Sequence, residues 1–97
     1  MKSTDEILSL LRQYKPTAQS KYGVSKIGIF GSVARGEQTE HSDVDVCYEG
    51  AAPSFITLDI IQTDLEKLFG RPVDMVRVRD NMNSILKERI QKESIYV

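Results

Sequence analysis

The 97-residue sequence contains a single cysteine, no tryptophan and no long apolar run. The lone Cys47 excludes an intramolecular disulfide and a cysteine-clustered zinc site, and a single cysteine is typical of a protein in a reducing compartment. We expect Cys47 to be a small, buried apolar residue. No segment approaches the roughly 18 apolar residues that a membrane-spanning helix requires. The first residues are polar and lack the apolar core of a signal peptide. We therefore expect a cytoplasmic protein with no membrane association.

Charge of one sign is also lacking, because 13 basic residues face 14 acidic ones and leave a formal net charge of -1. No overall positive field exists to attract a polyanion, so we expect no direct nucleic-acid binding. The apolar share of 40% and the charged share of 28% are typical of an ordinary globular chain. Since independent domains seldom fall below about 50 residues, we expect residues 1–97 to form a single domain.

The amino-terminal part has the pattern of a capped helix. Ser3 and Glu6 are spaced as a capping box, in which each side chain satisfies a backbone amide of the other residue. Apolar residues then recur at helical spacing. We expect Pro16 to break this helix, and a further helical stretch to end at Gly23.

The rest of the chain alternates between strand and helix patterns. Residues 27–30, 43–48 and 73–78 predict strands, with a helix between the second and the third. A closing helix would be capped by Asn81 or Asn83. The pattern predicts an α/β (α+β) fold, in which helices flank a small mixed sheet of three or four strands.

A glycine-containing turn follows the first predicted strand. Gly31 allows a sharp turn, and the next residues can open a short helix that Gly36 ends. The free amides at the start of a helix receive phosphate oxygens, and the Ser32 hydroxyl adds a donor and an acceptor there. The segment predicts a phosphate-holding turn. Taken alone, the glycines would indicate only a tight turn, and Ser32 only a helix cap.

Two carboxylates follow on the second predicted strand. Asp43 and Asp45 are two residues apart, so their side chains would share a face about 7 Å apart along the chain. Such a pair can share divalent cations, and Mg²⁺ accepts a ligand set of carboxylates without histidine or cysteine. Taken alone, alternating acids would equally indicate the solvent face of an edge strand.

A third carboxylate, Asp74, lies in an apolar segment, where an unpaired buried acid would be costly. If its strand pairs beside the Asp43 strand, Asp74 can reach the metal or act as a general base. An exposed edge position, or an ion pair with Arg71, Arg77 or Arg79, would also explain it.

These motifs together resemble a known family. The order Gly31-Ser32, ten intervening residues, Asp43-Val44-Asp45 and a later Asp74 resembles the nucleotidyltransferase superfamily that includes polymerase beta. The segment from Gly31 to Gly36, with Ser42 before the two carboxylates, is similar to the minimal nucleotidyltransferases, or MNT family. The resemblance implies transfer of a nucleoside monophosphate, AMP from ATP, to an acceptor hydroxyl, with pyrophosphate leaving and two Mg²⁺ ions assisting.

The resemblance also implies roles for individual residues. Asp43, Asp45 and Asp74 match the metal-binding, catalytic carboxylates, and the turn at Gly31 and Ser32 matches the phosphate-holding turn. Nucleotide binding would further involve two residues with less specific signals, Arg35 and Ser42. Arg35 matches a common family arginine, although an ion pair with Glu37 or Glu40 would also account for it.

Partners and alternatives follow from the same resemblance. Larger relatives carry an additional domain that grips the base or the acceptor, so we expect a HEPN-type partner from a toxin–antitoxin pair, or a homo-oligomer, to supply that surface. One alternative is a non-catalytic antitoxin that neutralises its partner by covering it. The other is a nucleotidyltransferase that acts on a small hydroxylated molecule such as an antibiotic.

Overall fold

The computed structural model describes residues 2–97, and these alternate between helices and strands as predicted. The helices and strands are α1 (Thr4–Tyr22), β1 (Val24–Phe30), α2 (Gly31–Ala34), β2 (Val44–Gly50), α3 (Phe55–Phe69), β3 (Val73–Arg77), α4 (Ser84–Glu93) and β4 (Ile95–Tyr96). Asn83 caps α4, and its side-chain oxygen accepts the amide of Leu86 at 3.0 Å. The predicted α/β class is confirmed. Among residues 2–97, no helix combines the length and the apolar character needed to cross a membrane.

The strands form one mixed, four-stranded sheet in the order β3-β2-β1-β4. β1 runs antiparallel to β2 and β4, whereas β2 and β3 are parallel. The fourth strand is only two residues long, which is too short to produce a recognisable alternation in the sequence. It pairs with β1 beside Gly28, where an added β-carbon would overlap the backbone of Ile95. Gly28 therefore permits the close approach of β4.

The predicted break of the first helix at Pro16 is wrong, because α1 continues through that residue to Tyr22. Proline removes one helical hydrogen bond, but Pro16 lies on the exposed side of α1. Leu11 and Ala18, before and after Pro16, are both fully buried, so packing holds the two halves in line. The predicted capping box and the end at Gly23 are confirmed, and Gly23 has a left-handed φ of 68°.

The two faces of the sheet have different covers. On one face, α1 and α3 pack against buried side chains of the strands, including Ile27, Ile29, Val44 and Val46. On the other face, Ile90 of α4 packs with Phe30 and Cys47. Burial raises the pKa of the Cys47 thiol to about 11, and its side chain is fully buried, as expected.

Candidate active site

Asp45 is the second residue of β2 and lies between two neighbouring strands. Its backbone partners are Phe30 at the end of β1 and Asp74 at the start of β3. Adjacent strands are about 4.8 Å apart, and strand side chains alternate between faces. Because Val44 and Val46 point into the core beneath α1 and α3, Asp45 points to the face that α4 covers. The strand pairing that would bring Asp74 beside Asp45 is therefore present.

The predicted phosphate-holding turn lies directly against Asp45. Gly31 begins the short helix α2 with a left-handed φ of 74°, as the sharp turn requires. A β-carbon added at Gly31 would overlap Oδ2 of Asp45. Glycine is thus needed both for the turn and for the space that the carboxylate occupies. The turn and the carboxylate, which are far apart in the sequence motif, form one site.

The surroundings of Asp45 raise the pKa of its carboxyl group. Burial is the largest cause, followed by the negative charge of Asp74, and Asp43 adds a smaller contribution in the same direction. The positive charges of Arg89 and Arg35 act in the opposite direction. Asp45 is therefore surrounded by two carboxylates that repel it and two arginines that attract it.

Asp43 and Asp74 are more exposed than Asp45. The strand that was predicted to start at Asp43 starts one residue later, so Asp43 lies just before β2. Among residues 2–97, no three histidine, cysteine or acidic side chains are already grouped as a metal site. The donor set nevertheless fits Mg²⁺, because it consists of hard carboxylate oxygens, and a cation would relieve the repulsion at Asp45.

Arg35 follows α2 and contacts two carboxylates. Its Nε pairs with Glu37 at 2.5 Å, and its Nη1 pairs with Glu93 at 2.9 Å. The hydrogen bond to Glu37 is the largest cause of the raised pKa of Arg35, and the charge of Glu93 contributes. The ion pair between Arg35 and Glu37, which the sequence allowed as an alternative role for Arg35, is present. It leaves the phosphate-binding role of Arg35 a prediction.

Glu93, at the end of α4, is a site residue that sequence reasoning missed. Its carboxylate accepts the backbone N–H of Gly31 at 3.2 Å and contacts Nε of Arg89 at 3.4 Å. The four-residue spacing of Arg89 and Glu93 was a signal for an ion pair on a helix. Nothing in that spacing indicated which part of the sheet the pair would approach.

The loop before β2 is held by its own polar contacts. Ser42 Oγ accepts the N–H of Thr39 at 2.8 Å, and Arg71 donates to the carbonyl oxygens of Glu40 and Ser42. Ser42 thus orders the approach to Asp43, and its role in nucleotide binding stays a prediction. The side chains of Arg71, Arg77 and Arg79 all donate to backbone carbonyl oxygens. Among residues 2–97, none of these three arginines forms the ion pair with Asp74 that the sequence allowed.

The part of the chain that is similar to known proteins includes the whole candidate site. The nucleotidyltransferase domain family matches residues 11–97. MJ1379 of Methanocaldococcus jannaschii, a candidate protein adenylyltransferase, is 42% identical over 101 residues, which cover 100% of both chains. Protein adenylyltransferase MntA of Thermococcus cleftensis is 35% identical over 98 residues, which cover 100% of this chain and 98% of that protein.

Solved structures have the same architecture. A candidate minimal nucleotidyltransferase superposes with a TM-score of 0.70 at 32% identity, covering 91% of this chain and 93% of that one. A chain in the complex of tri-AMPylated Shewanella oneidensis HEPN toxin with MNT antitoxin superposes with a TM-score of 0.60 at 19% identity. That match covers 96% of this chain and 66% of the other, and at this identity it shows a shared fold.

Proposed function

We propose that this chain, which belongs to the nucleotidyltransferase domain family and is a nucleotidyltransferase, transfers AMP from ATP to a hydroxyl group of a protein partner. The family predicted from the sequence motif is confirmed by the matched domain and by the relatives. The observation that carries the proposal is the contact between the Asp45 carboxylate and the Gly31 turn, with Asp74 on the adjacent strand. The groups that we propose to bind the metal and the phosphates would thus lie within one small site.

We assign the side chains of this site by their chemistry. Asp43, Asp45 and Asp74 would hold Mg²⁺, which when bound neutralises charge on the phosphate oxygens. Gly31 and Ser32, at the start of α2, would hold the phosphates. Asp45 can lie directly against the turn because Gly31 has no side chain, and an added β-carbon would overlap its Oδ2. Positioning of this kind is the main contribution of a protein to phosphoryl transfer.

The acceptor is proposed from the relatives. Several are named as protein adenylyltransferases, and one similar structure is a complex of an AMPylated HEPN toxin with an MNT antitoxin. A hydroxyl group on a HEPN-type protein is therefore the acceptor we propose, with the partner supplying the surface that presents it. The proposed protein is a single cytoplasmic domain that works with this partner.

The test is label transfer from ATP that carries a labelled α-phosphate. The purified chain would be incubated with Mg²⁺ and a lysate of its source cells, beside Asp43→Asn and Asp45→Asn variants. Asp59→Asn makes the same chemical change at an exposed position of α3 and serves as the control. We expect label on a discrete protein with the wild type and the control, and at least about a 100-fold loss in both site variants.

Three results would contradict the proposal. Full transfer by both site variants would exclude the carboxylates as the metal ligands. Neutralisation of a toxic partner by the chain, with no label transferred from any nucleoside triphosphate, would instead identify a non-catalytic antitoxin. Labelling of a small hydroxylated molecule, rather than a protein, would identify the third class of function.

A further inference from the structure

The Glu93 carboxylate occupies a position that is built to receive an anion. It contacts one backbone donor, the N–H of Gly31 at 3.2 Å, and two guanidinium groups, those of Arg35 at 2.9 Å and Arg89 at 3.4 Å. Amide and guanidinium donors are also the groups that bind phosphate oxygens. The Glu93 side chain is 23% exposed, so it can rotate away from the turn without leaving a buried core position.

Arg89 is the part of this cluster to which the proposed function gives no role. It lies on α4, its side chain is 49% exposed, and its guanidinium carbon is 5.9 Å from the centre of the Phe30 ring. Phe30 immediately precedes the Gly31 turn and is the backbone partner of Asp45. Arg89 is therefore held beside the Gly31 turn and near Asp45, and it contacts the Glu93 oxygen that Arg35 does not.

The two arginines share one counter-ion. Both contact the same carboxylate group, one through Oε1 and the other through Oε2 of Glu93. Two guanidinium groups that contact one carboxylate repel each other, and the charge of an anion between them offsets that repulsion. A triphosphate that binds at the Gly31 turn would bring several negative charges to the same place, where it would compete directly with Glu93.

We propose that the Glu93 carboxylate occupies part of the binding site of the triphosphate and that Arg89 is a second phosphate-binding arginine. In the nucleotide-free protein, Glu93 holds Arg35 and Arg89 together at the turn. When the triphosphate binds, its oxygens take over both arginines and Glu93 is displaced. This inference rests on the proposed function, because it requires a nucleoside triphosphate at the Gly31 turn.

The charge of Glu93 can be removed with little change in its shape. Glu93→Gln keeps an oxygen that can accept the Gly31 N–H, but it no longer neutralises the two arginines. A triphosphate would then bind without competition. Since exposed ion pairs are weak individually, we expect the dissociation constant for ATP to fall by about three- to tenfold. A purely structural role for Glu93 predicts the opposite, weaker binding.

The experiment is a calorimetric titration at fixed Mg²⁺ and fixed salt with three probes: ATP, inorganic tripolyphosphate and adenosine. Glu88→Gln is the matched control, since it removes the same charge from the same helix at a residue that pairs only with Lys92 among the described residues. We expect Glu93→Gln to bind ATP and tripolyphosphate more tightly than the wild type does, and to leave adenosine binding unchanged. Glu88→Gln should match the wild type.

Arg89→Gln keeps the proposal testable if Glu93→Gln fails to fold. Because Arg89 is half exposed, its replacement should preserve the fold, and we expect about threefold or greater weakening of tripolyphosphate binding. Unchanged binding by Arg89→Gln, weaker ATP binding by folded Glu93→Gln, or an equal gain in Glu88→Gln would each overturn the inference while wild-type ATP binding persists. A wild type that binds neither ATP nor tripolyphosphate would instead overturn the proposed function, and the inference with it.

Discussion

One face of the sheet is covered by two long helices, α1 of 19 residues and α3 of 15, and the other face by α4 of 10. The side chains beneath α1 and α3 form a continuous apolar core. Beneath α4, the buried cluster consists of Phe30, Cys47 and Ile90, and charged groups begin beside it. The first face is closed by its helices, whereas the second is left open at the end where β1 stops and β2 and β3 start.

The difference between the faces explains how a small domain can hold a charged site. Burial, and then repulsion by Asp74 and Asp43, disfavour the ionised form of Asp45, so the ionised carboxylate destabilises the folded state. The closed face provides apolar burial that offsets such a cost. The main apolar core and the candidate site thus lie on opposite faces of the sheet. Substitutions on the two faces should therefore differ in their effects on stability and on transfer activity.

The largest expected effect is on the closed face. Leu11 of α1 is fully buried, so Leu11→Ala should lower the free energy of unfolding by about 2–4 kcal/mol through lost contacts and a cavity. Transfer activity per folded molecule should stay within about twofold of wild type, because Leu11 lies across the sheet from the site. Chemical denaturation and label transfer, corrected for the folded fraction, would measure the two quantities.

Ile90→Ala provides the comparison from the open face. Ile90 is 1% exposed and packs α4 onto Phe30 and Cys47, so its truncation should lower stability by a similar amount. Unlike Leu11→Ala, it should also reduce transfer per folded molecule, because α4 carries Arg89 and Glu93. Equal losses of activity in the two variants would contradict the separation of the faces.

The next largest effect is expected at the Gly31 turn. Gly31→Ala should lower stability by about 1–2 kcal/mol, because alanine is strained at a left-handed φ. The added methyl group would also displace the Asp45 carboxylate, and a misplacement of about 1 Å can reduce a rate by about 100-fold. Label transfer and denaturation would again be measured together.

Gly23→Ala distinguishes the effect of backbone strain from the effect of displacing the Asp45 carboxylate. Gly23 has a φ of 68°, close to the 74° of Gly31, but no heavy atom lies within 4 Å of an added β-carbon. This variant should lose a similar amount of stability and keep its activity per folded molecule. A loss of transfer in Gly23→Ala as large as that in Gly31→Ala would show that strain, and not contact with Asp45, limits the reaction.

The sequence was sufficient for features that depend on neighbouring residues. The Ser3–Glu6 capping box and the turn at Gly31 are local patterns with direct physical causes, and both are present. The mixed sheet could also be expected, because alternating helices and strands have few compact arrangements. Strand order could not be read, since the pairing of β2 with β3 depends on packing across α3.

Features that depend on distant contacts were missed or mispredicted. Pro16 favours a helix break locally, but burial of Leu11 and Ala18 keeps α1 continuous. Glu93 belongs to the site because of where α4 docks, and no local spacing specifies that position. Asp45 and Gly31 were both recognised by their motif, yet their direct contact follows only from the pairing of β1 with β2.

The smallest expected effect is an increase in stability when the site loses a charge. Asp45→Asn removes, at nearly constant shape, a carboxylate that is partly buried and repelled by Asp74 and Asp43. We expect the melting temperature to rise by about 2–4 °C, equivalent to about 0.5 kcal/mol after allowing for solvent screening at this partly exposed group. The same variant should be inactive in label transfer, so stability and activity would change in opposite directions.

The pH dependence of this gain identifies its cause. The pKa of Asp45 in the folded state is raised above the ordinary value of 3.8, so the ionised carboxylate lowers stability at neutral pH. As the pH falls through the raised pKa, the folded wild type takes up a proton, and its stability should approach that of Asp45→Asn. Asp59→Asn, at an exposed position of α3, is the control for the chemical change itself. A melting temperature of Asp45→Asn at or below wild type at neutral pH would show that the carboxylate is held by stabilising contacts, and that repulsion at the site is the weaker effect.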